Sequence, residues 1–362
     1  MNGRATVLLV IPHLGGGGAE RVFTLLAGGL NPARFDIHLA LVTQWNAAEF
    51  ELPTWVTVHG IGARRVRAGW WGLLRLIWRL RPRVILSGMA HLNMLLLILR
   101  PLFPRNTRIL VRQNGCIRAA GSISAYRKLY PKADAVVCQT AAMAGDLAKV
   151  AGVKRNLRVL PNPVDLEKTR AAALSGPNLW SGPGPHLLAV GRLAPEKGFD
   201  LLLQAFAKVR ERFPSADLTI VGEGRERRAL EMLAWLLGVR QAARLLGHVE
   251  QPAIWFKGAT AFVLSSRHEA LPNAVLEAAS AGLPIVATAV SEGLLDLMRG
   301  DPGVWIAKEA SAEAIAEALG EALERVTPDT RFAHSWVEAF SKDRAIAAYE
   351  ACIDESLAEP VR

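Results

Sequence analysis

The chain has 362 residues, of which 51% are hydrophobic and 21% charged, enough apolar material for two ordinary cores, so disorder is excluded. Its three cysteines, Cys116, Cys138 and Cys352, are too scattered for a disulfide framework or a metal-ligand spacing, which fits a reducing cytoplasm. The net charge of +10 is uneven: residues 1–160 hold 22 Lys and Arg against 6 Asp and Glu, whereas the remainder holds 21 against 27. A basic half of this kind faces something anionic, with nucleic acid, an anionic membrane surface and a phosphorylated lipid as the candidates.

In chain order, short β-rich apolar runs alternate with helical stretches. Ala5–Ile11, Asp36–Val42, Val84–Ser87, Thr107–Arg112 and Ala135–Gln139 read as buried parallel strands. Ala19–Leu30, Trp70–Leu80, Leu92–Leu102 and Ala141–Ala151 read as the helices between them. The run from Ala5 to Leu14 reads as a buried first strand rather than a signal-peptide core, and Met94 to Leu99 is far short of the ~20 residues of a membrane span. Val164 to Pro185 breaks the rhythm with Ser175-Gly176-Pro177 and Ser181-Gly182-Pro183-Gly184-Pro185, so 166–185 reads as a linker.

A second series follows: strand His186–Val190, helix Leu201–Phe213, strand Asp217–Val221, helix Arg225–Leu237, strand Ala261–Ser265, helix Val275–Ala281 and strand Pro284–Thr288. After a loop at Arg331–Ser341, a last helix covers about Lys342 to Ser356. The expectation is two doubly wound α/β domains, 1–165 and 186–341, facing a cleft, with the segment 342–362 packing back on the first.

Three constellations carry chemistry. Gly15-Gly16-Gly17-Gly18-Ala19-Glu20-Arg21 lies between the first strand and the first helix, where bare backbone can approach a phosphate or a sugar. It is not a dinucleotide fingerprint, because the third glycine of that pattern would fall on Glu20 or Arg21, and the second strand runs through Thr43-Gln44 without a terminal acid. A flexible turn is the alternative. Gly191-Arg192-Leu193-Ala194-Pro195-Glu196-Lys197-Gly198 sets two cations over one strand-end loop, a bidentate donor and a point charge suited to a diphosphate, or else two solvated surface charges.

The most specific segment is Ser265-Ser266-Arg267-His268-Glu269-Ala270-Leu271-Pro272-Asn273 through Glu277. It places Glu269 in a loop and Glu277 about one turn inside the next helix. A carboxylate can accept both hydroxyl protons of a ribose diol, and a helix start near Asn273 offers free N–H groups. Glu277 could instead be an ordinary helix-face charge, but its neighbours Val275, Leu276, Ala278 and Ala279 make it an acid in an apolar helix.

Together these segments resemble the retaining glycosyltransferases of family 4, which have the GT-B fold. Gly17 to Arg21 is similar to that family's glycine-rich loop, and Gly191-Arg192 with Glu196-Lys197-Gly198 to its donor-diphosphate motif. Glu269 to Glu277 is similar to its Glu-x7-Glu motif, followed by Gly282-Leu283-Pro284-Ile285-Val286-Ala287-Thr288, and Pro161 to Asp165 to its approach to the linker. Ala270 departs from the glycine common after the first glutamate.

The resemblance implies an enzyme that transfers a hexose or N-acetylhexosamine from a nucleoside diphosphate sugar, UDP favoured, with retention, no cofactor and no metal. It implies catalytic roles for Arg192, Lys197, Glu269 and His91. It implies donor contacts at Gly17, Gly18, Gly191, Arg192, Lys197, His248, Leu271, Pro272, Asn273 and Glu277. Arg192 and Lys197 would neutralise the leaving diphosphate, Glu277 would hold the ribose, Glu269 the hexose, and His248 would approach the base. Ser87 with Asn93, and Arg112-Gln113-Asn114, look like members that build lipopolysaccharide, capsule or lipid-linked oligosaccharide, which places Glu20, Asn93, Arg112 and Asn114 at the acceptor.

Residues 64–83 hold seven arginines and no acid. On a helix from Trp70, one face is Trp70, Leu73, Leu74, Ile77 and Leu80, read as the core side. Trp71, Arg75 and Trp78 form another face. Tryptophan beside arginine is a membrane-interface composition, so Arg64, Arg65, Arg67, Trp71, Arg75 and Trp78 are the expected membrane contacts. A core helix with a solvated basic flank is the alternative. The expectation is a cytoplasmic enzyme, peripheral on the inner face of the cell membrane, with a lipid-linked or glycolipid acceptor. The competing readings are a nucleotide-sugar epimerase of the same fold and a non-enzymatic basic anion-binding protein. Nucleic acid is set aside because no recognisable module for it is present.

Overall fold

The computed structural model describes residues 3–15, 17–43, 52–115, 123–290 and 292–359. Of the positions singled out above, Gly16, Gln44, Cys116 and the last three residues of the 342–362 segment lie outside the described residues. The chain divides into two compact units, Met1–Val164 with Ala339–Arg362, and Asp165–Glu338.

In the first unit, the described residues form a seven-stranded parallel sheet in the order β3-β2-β1-β4-β5-β6-β7. The strands are β1 (Ala5–Ile11), β2 (Phe35–Thr43), β3 (Val56–Ala63), β4 (Val84–Gly88), β5 (Arg108–Arg112), β6 (Ala135–Cys138) and β7 (Leu157–Val159). β1 is apolar and fully buried from Val7 to Ile11, as a central strand covered on both faces requires. It pairs with β2 through Val7 and Ile37 and with β4 through Val7 and Val84. The strand order therefore reverses between β1 and β4. The C-terminal ends of these two strands flank the crevice where ligands of open α/β sheets bind. Helix α1 (Gly18–Gly29) follows β1, α2 (Trp70–Leu80) precedes β4, and α3 (Ala90–Leu99) follows it. α4 (Ile123–Leu129) and α5 (Ala141–Val150) complete this run.

The second unit carries, among the described residues, six parallel strands in the order β10-β9-β8-β11-β12-β13. They are β8 (His186–Val190), β9 (Asp217–Val221), β10 (Ala243–Gly247), β11 (Ala261–Leu264), β12 (Ile285–Thr288) and β13 (Val304–Ala307). The order reverses here between β8 and β11, so the loops after those two strands flank the second crevice. Those loops lead into α7 (Phe199–Arg212) and α9 (Asn273–Ser280). α8 (Arg227–Leu236), α10 (Glu292–Met298) and α11 (Ala312–Leu323) complete the series.

Two expectations are corrected. The 166–185 segment is not simply a linker: α6 (Leu166–Ser175) occupies its first half, capped by Asp165, whose Oδ1 accepts from the Lys168 N–H at 3.0 Å. α6 packs within the second unit, on α9, and Arg170 Nε donates to the Ser280 carbonyl at 3.2 Å. Strands β3, β7, β10 and β13 were also not expected. None of the four is buried along its whole length, because each is at or near a sheet edge and lacks the continuous apolar run that marks the central strands. Helix α12 (Lys342–Ala358) belongs to the first unit, where Tyr349, Cys352 and Ile353 join the core built by β1, β2 and α1.

Candidate active site

In the first unit the crevice end of β1 runs into the glycine loop. Gly17 is the N-cap of α1, and the Glu20 carboxylate lies where a β-carbon at Gly17 would have to go. Glu20 is 6% exposed, and His13 Nδ1 stands 3.7 Å from its Oε1. A side chain at position 17 would therefore displace the Glu20 carboxylate from its place against the loop. At the end of β4, Met89 takes a positive φ of 74° and launches α3, which puts His91 in the first turn rather than in a preceding loop. Desolvation, then the charge of His13, hold the His91 imidazole below its ordinary pKa. His13, Glu20 and His91 therefore gather at one strand-end cluster.

Two residues expected at the acceptor are buried and bonded to groups of the first unit itself. Asn93 is fully buried: it accepts from Ser87 Oγ at 2.6 Å and its Nδ2 donates to the Arg112 carbonyl at 2.9 Å and Tyr130 Oη at 3.2 Å. Arg112 is 1% exposed, with Nε donating to Tyr349 Oη at 3.0 Å and its other nitrogens to Asn114 and Asn162. A buried guanidinium must be satisfied by internal acceptors, and this one joins β5 to α12 and to the segment before Val164. Asn93 and Arg112 thus hold the frame of the first unit. Asn114 is half-buried at the end of β5.

In the second unit, β8 ends at Val190, and Gly191-Arg192 leads to a tight turn at Pro195–Lys197 and then to Gly198. Gly198 has φ 63°, and a β-carbon there would collide with the Ser265 carbonyl oxygen, so this loop and the one after β11 are in direct contact. Lys197 Nζ donates to Glu269 Oε1, and Ser266 Oγ donates to the same oxygen at 3.1 Å. These two charged side chains are 22% and 14% exposed, whereas Arg192, bonded to Glu196 at 2.9 Å, is 72% exposed. Ala270, Leu271 and Pro272 are buried, and Pro272 caps α9 without a side-chain hydrogen bond. Glu277, in the second turn of α9, is 7% exposed. His248 is exposed just past β10.

Sequence reasoning missed Ser266, which holds the Glu269 carboxylate within its own loop, and Ser265, Arg267 and Asp200, whose side chains tie the loop after β11 to the one after β8 and to the start of α7. No spacing signal marks a contact between residues 67 positions apart.

The expected membrane residues Arg64, Arg65, Arg67, Trp71, Arg75 and Trp78 are all exposed. Trp70 is not on the core side as expected: it is 42% exposed and packs edge-on against Trp71, with ring centres 5.6 Å apart. Leu73, Leu74, Leu76 and Ile77 fill the buried face instead. Trp78 Nε1 donates to the Leu102 carbonyl at 2.9 Å, which brings exposed Leu102 beside the tryptophan face. Among the described residues no helix is long and apolar enough to cross a membrane.

Comparison with known proteins accords with this geometry. Residues 16–168 match the glycosyltransferase family 4 model, and residues 184–325 match the model of glycosyl transferases group 1. The lipopolysaccharide core biosynthesis glycosyltransferase LpsE of Rhizobium meliloti is 29% identical over 255 residues, 68% of this chain and 72% of that protein. LpsD of the same organism is 26% identical over 278 residues, 75% of each. Among solved structures, Anabaena HepE in complex with UDP and glucose superposes with a TM-score of 0.78 at 15% identity, over 97% of this chain and 100% of that one. With one model on each strand-end cluster and the same two-sheet architecture in its structural neighbours, the chain belongs to the family 4 glycosyltransferases and has the GT-B fold.

Proposed function

We propose that this glycosyltransferase moves a hexose or N-acetylhexosamine from a nucleoside diphosphate sugar, UDP-linked by preference, to a lipid-linked or lipopolysaccharide-type acceptor at an anionic membrane surface. In this reading the anomeric configuration is retained and no metal ion takes part. The observation that carries it is the Lys197–Glu269 pair, with Ser266 on the same carboxylate and Arg192 above it on the loop.

Cleaving the donor leaves a diphosphate whose charge grows in the transition state. Preorganised cations aimed at that charge are the largest catalytic term available. Lys197 is a partly buried point charge, and Arg192 an exposed planar fork that exchanges its Glu196 partner for two phosphate oxygens. Glu269, freed from Lys197 when a diphosphate takes that cation, turns to the hexose hydroxyls. The α9 N-terminus adds N–H donors for phosphate, Glu277 accepts from the ribose hydroxyls, and His248 stands toward the base. Glu20 serves the acceptor side with Asn114, and Gly17 and Gly18 lie close to the donor diphosphate. His91, kept neutral by its surroundings, is available as an acceptor for a sugar hydroxyl.

The complex of HepE with UDP and glucose supports the donor class, the names of LpsE and LpsD support the acceptor class, and the exposed Trp70, Trp71, Arg75 and Trp78 face supports the membrane surface. A thermal-shift panel of UDP, GDP and ADP with their glucose and N-acetylglucosamine esters tests the donor. A ligand of the folded state raises stability by RT ln(1 + [L]/Kd), about 2.7 kcal/mol at a hundredfold excess over Kd. A shift with the UDP compounds supports the proposal, and no shift with any diphosphate overturns it.

A further inference from the structure

Arg267 stands in the loop after β11, two residues before Glu269. Its NH1 and NH2 donate in parallel to the two carboxylate oxygens of Asp200, at 2.7 and 2.6 Å. NH1 also donates to the Pro195 carbonyl at 2.9 Å, and the Arg267 backbone N–H to the Glu196 carbonyl at 2.8 Å. Ser265 Oγ donates to the Lys197 carbonyl at 2.9 Å, beside the Gly198 contact described above. Asp200 belongs to the first turn of α7, so its carboxylate is fixed by a helix and not by a mobile loop.

The Pro195–Lys197 turn is thus gripped on both flanks. Pro195, Glu196, Lys197 and Asp200 each bond to the 265–267 stretch, and that stretch carries Glu269. A fork on a carboxylate is the strongest and most directional of these bonds, and lysine cannot reproduce it. It also depresses the Asp200 carboxyl below its ordinary range, chiefly through the hydrogen bond itself.

We infer that Arg267 is a positioning residue for the donor: clamped on Asp200 and on the Pro195 carbonyl, it sets the spacing between Lys197 and Glu269, hence between the diphosphate and the hexose. This rests on the donor reading above. A transferase needs the sugar–phosphate bond held in one geometry, and a displacement of about 1 Å costs on the order of 100-fold in rate. Binding of the nucleotide alone demands less, because the ribose contact on α9 lies outside the fork and Lys197 and Arg192 reach a diphosphate on long flexible side chains whatever their distance from Glu269.

The test uses the full chain with Arg267→Ala, Arg267→Lys and Asp200→Asn, each checked by melting. Titration with free UDP and steady-state nucleotide release from UDP-glucose and UDP-N-acetylglucosamine are the two readouts. The expected result is UDP affinity within about threefold of the parent, with kcat lower by roughly 10- to 100-fold in all three variants. Asp200→Ala combined with Arg267→Ala should cost no more than Arg267→Ala alone, because the two act as one unit. Turnover within threefold of the parent in folded variants overturns the inference, as does an equal loss of UDP affinity and turnover. Asp200→Asn decides the matter should the Arg267 variants fail to fold. If the parent chain itself neither binds UDP nor turns over either ester, the donor reading fails and the positioning role with it. Defects confined to the variants bear on Arg267 alone.

Discussion

His334 and Asp301 form a buried pair in the second unit, with Nδ1 2.7 Å from Asp301 Oδ2 and the far ring nitrogen, Nε2, 2.8 Å from the Leu283 carbonyl oxygen. Trp336 Nε1 donates to the same Asp301 oxygen at 2.8 Å, and the Gly303 N–H to Oδ1 at 2.9 Å. Both ring nitrogens thus face oxygen atoms, and the Asp301 carboxylate gathers three polar neighbours. It ties the segment after α11 to the ends of α10 and α9 just before the chain returns to the first unit.

The pair sets an acid limit on stability. Burial pushes the Asp301 carboxyl up, but the bonds from His334, Gly303 and Trp336 outweigh it and hold the group below its ordinary range. A carboxyl depressed in the folded state stabilises above its unfolded pKa of about 3.9, and that contribution is lost as pH falls through the lower folded value. Asp301→Asn is expected to cost about 1–3 kcal/mol at neutral pH, because it removes the charged acceptor shared by His334, Trp336 and the Gly303 N–H. Denaturant melts of both proteins should converge as pH drops below about 4. A constant gap down to pH 2 would rule the mechanism out.

Lys197→Ala and Arg192→Ala should each lower turnover by about 10²–10³-fold, the usual cost of removing one donor from a site where charge develops. Lys197 carries the larger loss, since it is the less exposed of the two and its removal also strands Glu269. Single-turnover nucleotide release measures both. Near-parental rates would remove these cations from the site.

Glu277→Gln should weaken donor binding more than it slows chemistry. Losing a charged acceptor opposite hydroxyls costs on the order of 1.5–3 kcal/mol, a loss of roughly 10- to 150-fold in Kd for UDP. The position is 7% exposed, so melting must be followed alongside titration. A variant that melts early yet binds UDP normally would make Glu277 a structural acid of α9.

Attachment to anionic vesicles should run through α2 and its flank. Arg64, Arg65, Arg67 and Arg75 are exposed and contribute about 1 kcal/mol each near an anionic leaflet. Raising salt shortens the screening length below the ~10 Å of 0.1 M and should detach much of the protein. Trp71 and Trp78 should leave a salt-resistant remainder, abolished by Trp71→Ser with Trp78→Ser, while UDP binding persists. Flotation at low and high salt reads both components, and equal flotation with neutral and anionic vesicles would defeat the proposal.

The central strands were legible from the chain alone, because a strand buried on both faces must be continuously apolar, and so was the place of the three motifs directly after a strand. β1, β8 and β9 fall where their apolar runs place them, and α2 where its period does. Edge strands such as β3 and β10 were not legible, because among the described residues one side of each meets no further strand and their composition relaxes accordingly. Nor was α6 inside the supposed linker, since its stability comes from packing on α9 rather than from an apolar period of its own. Asn93 and Arg112 looked like acceptor ligands because sequence records chemistry without depth; burial turned them into frame. The partnership of Lys197 with Glu269, and the clamp of Arg267 on Asp200, join residues 72 and 67 positions apart. All the strands of this parallel sheet end on one side, but only the pairing of β8 with β11 sets those two loops next to each other, and it is tertiary packing that decides such a meeting.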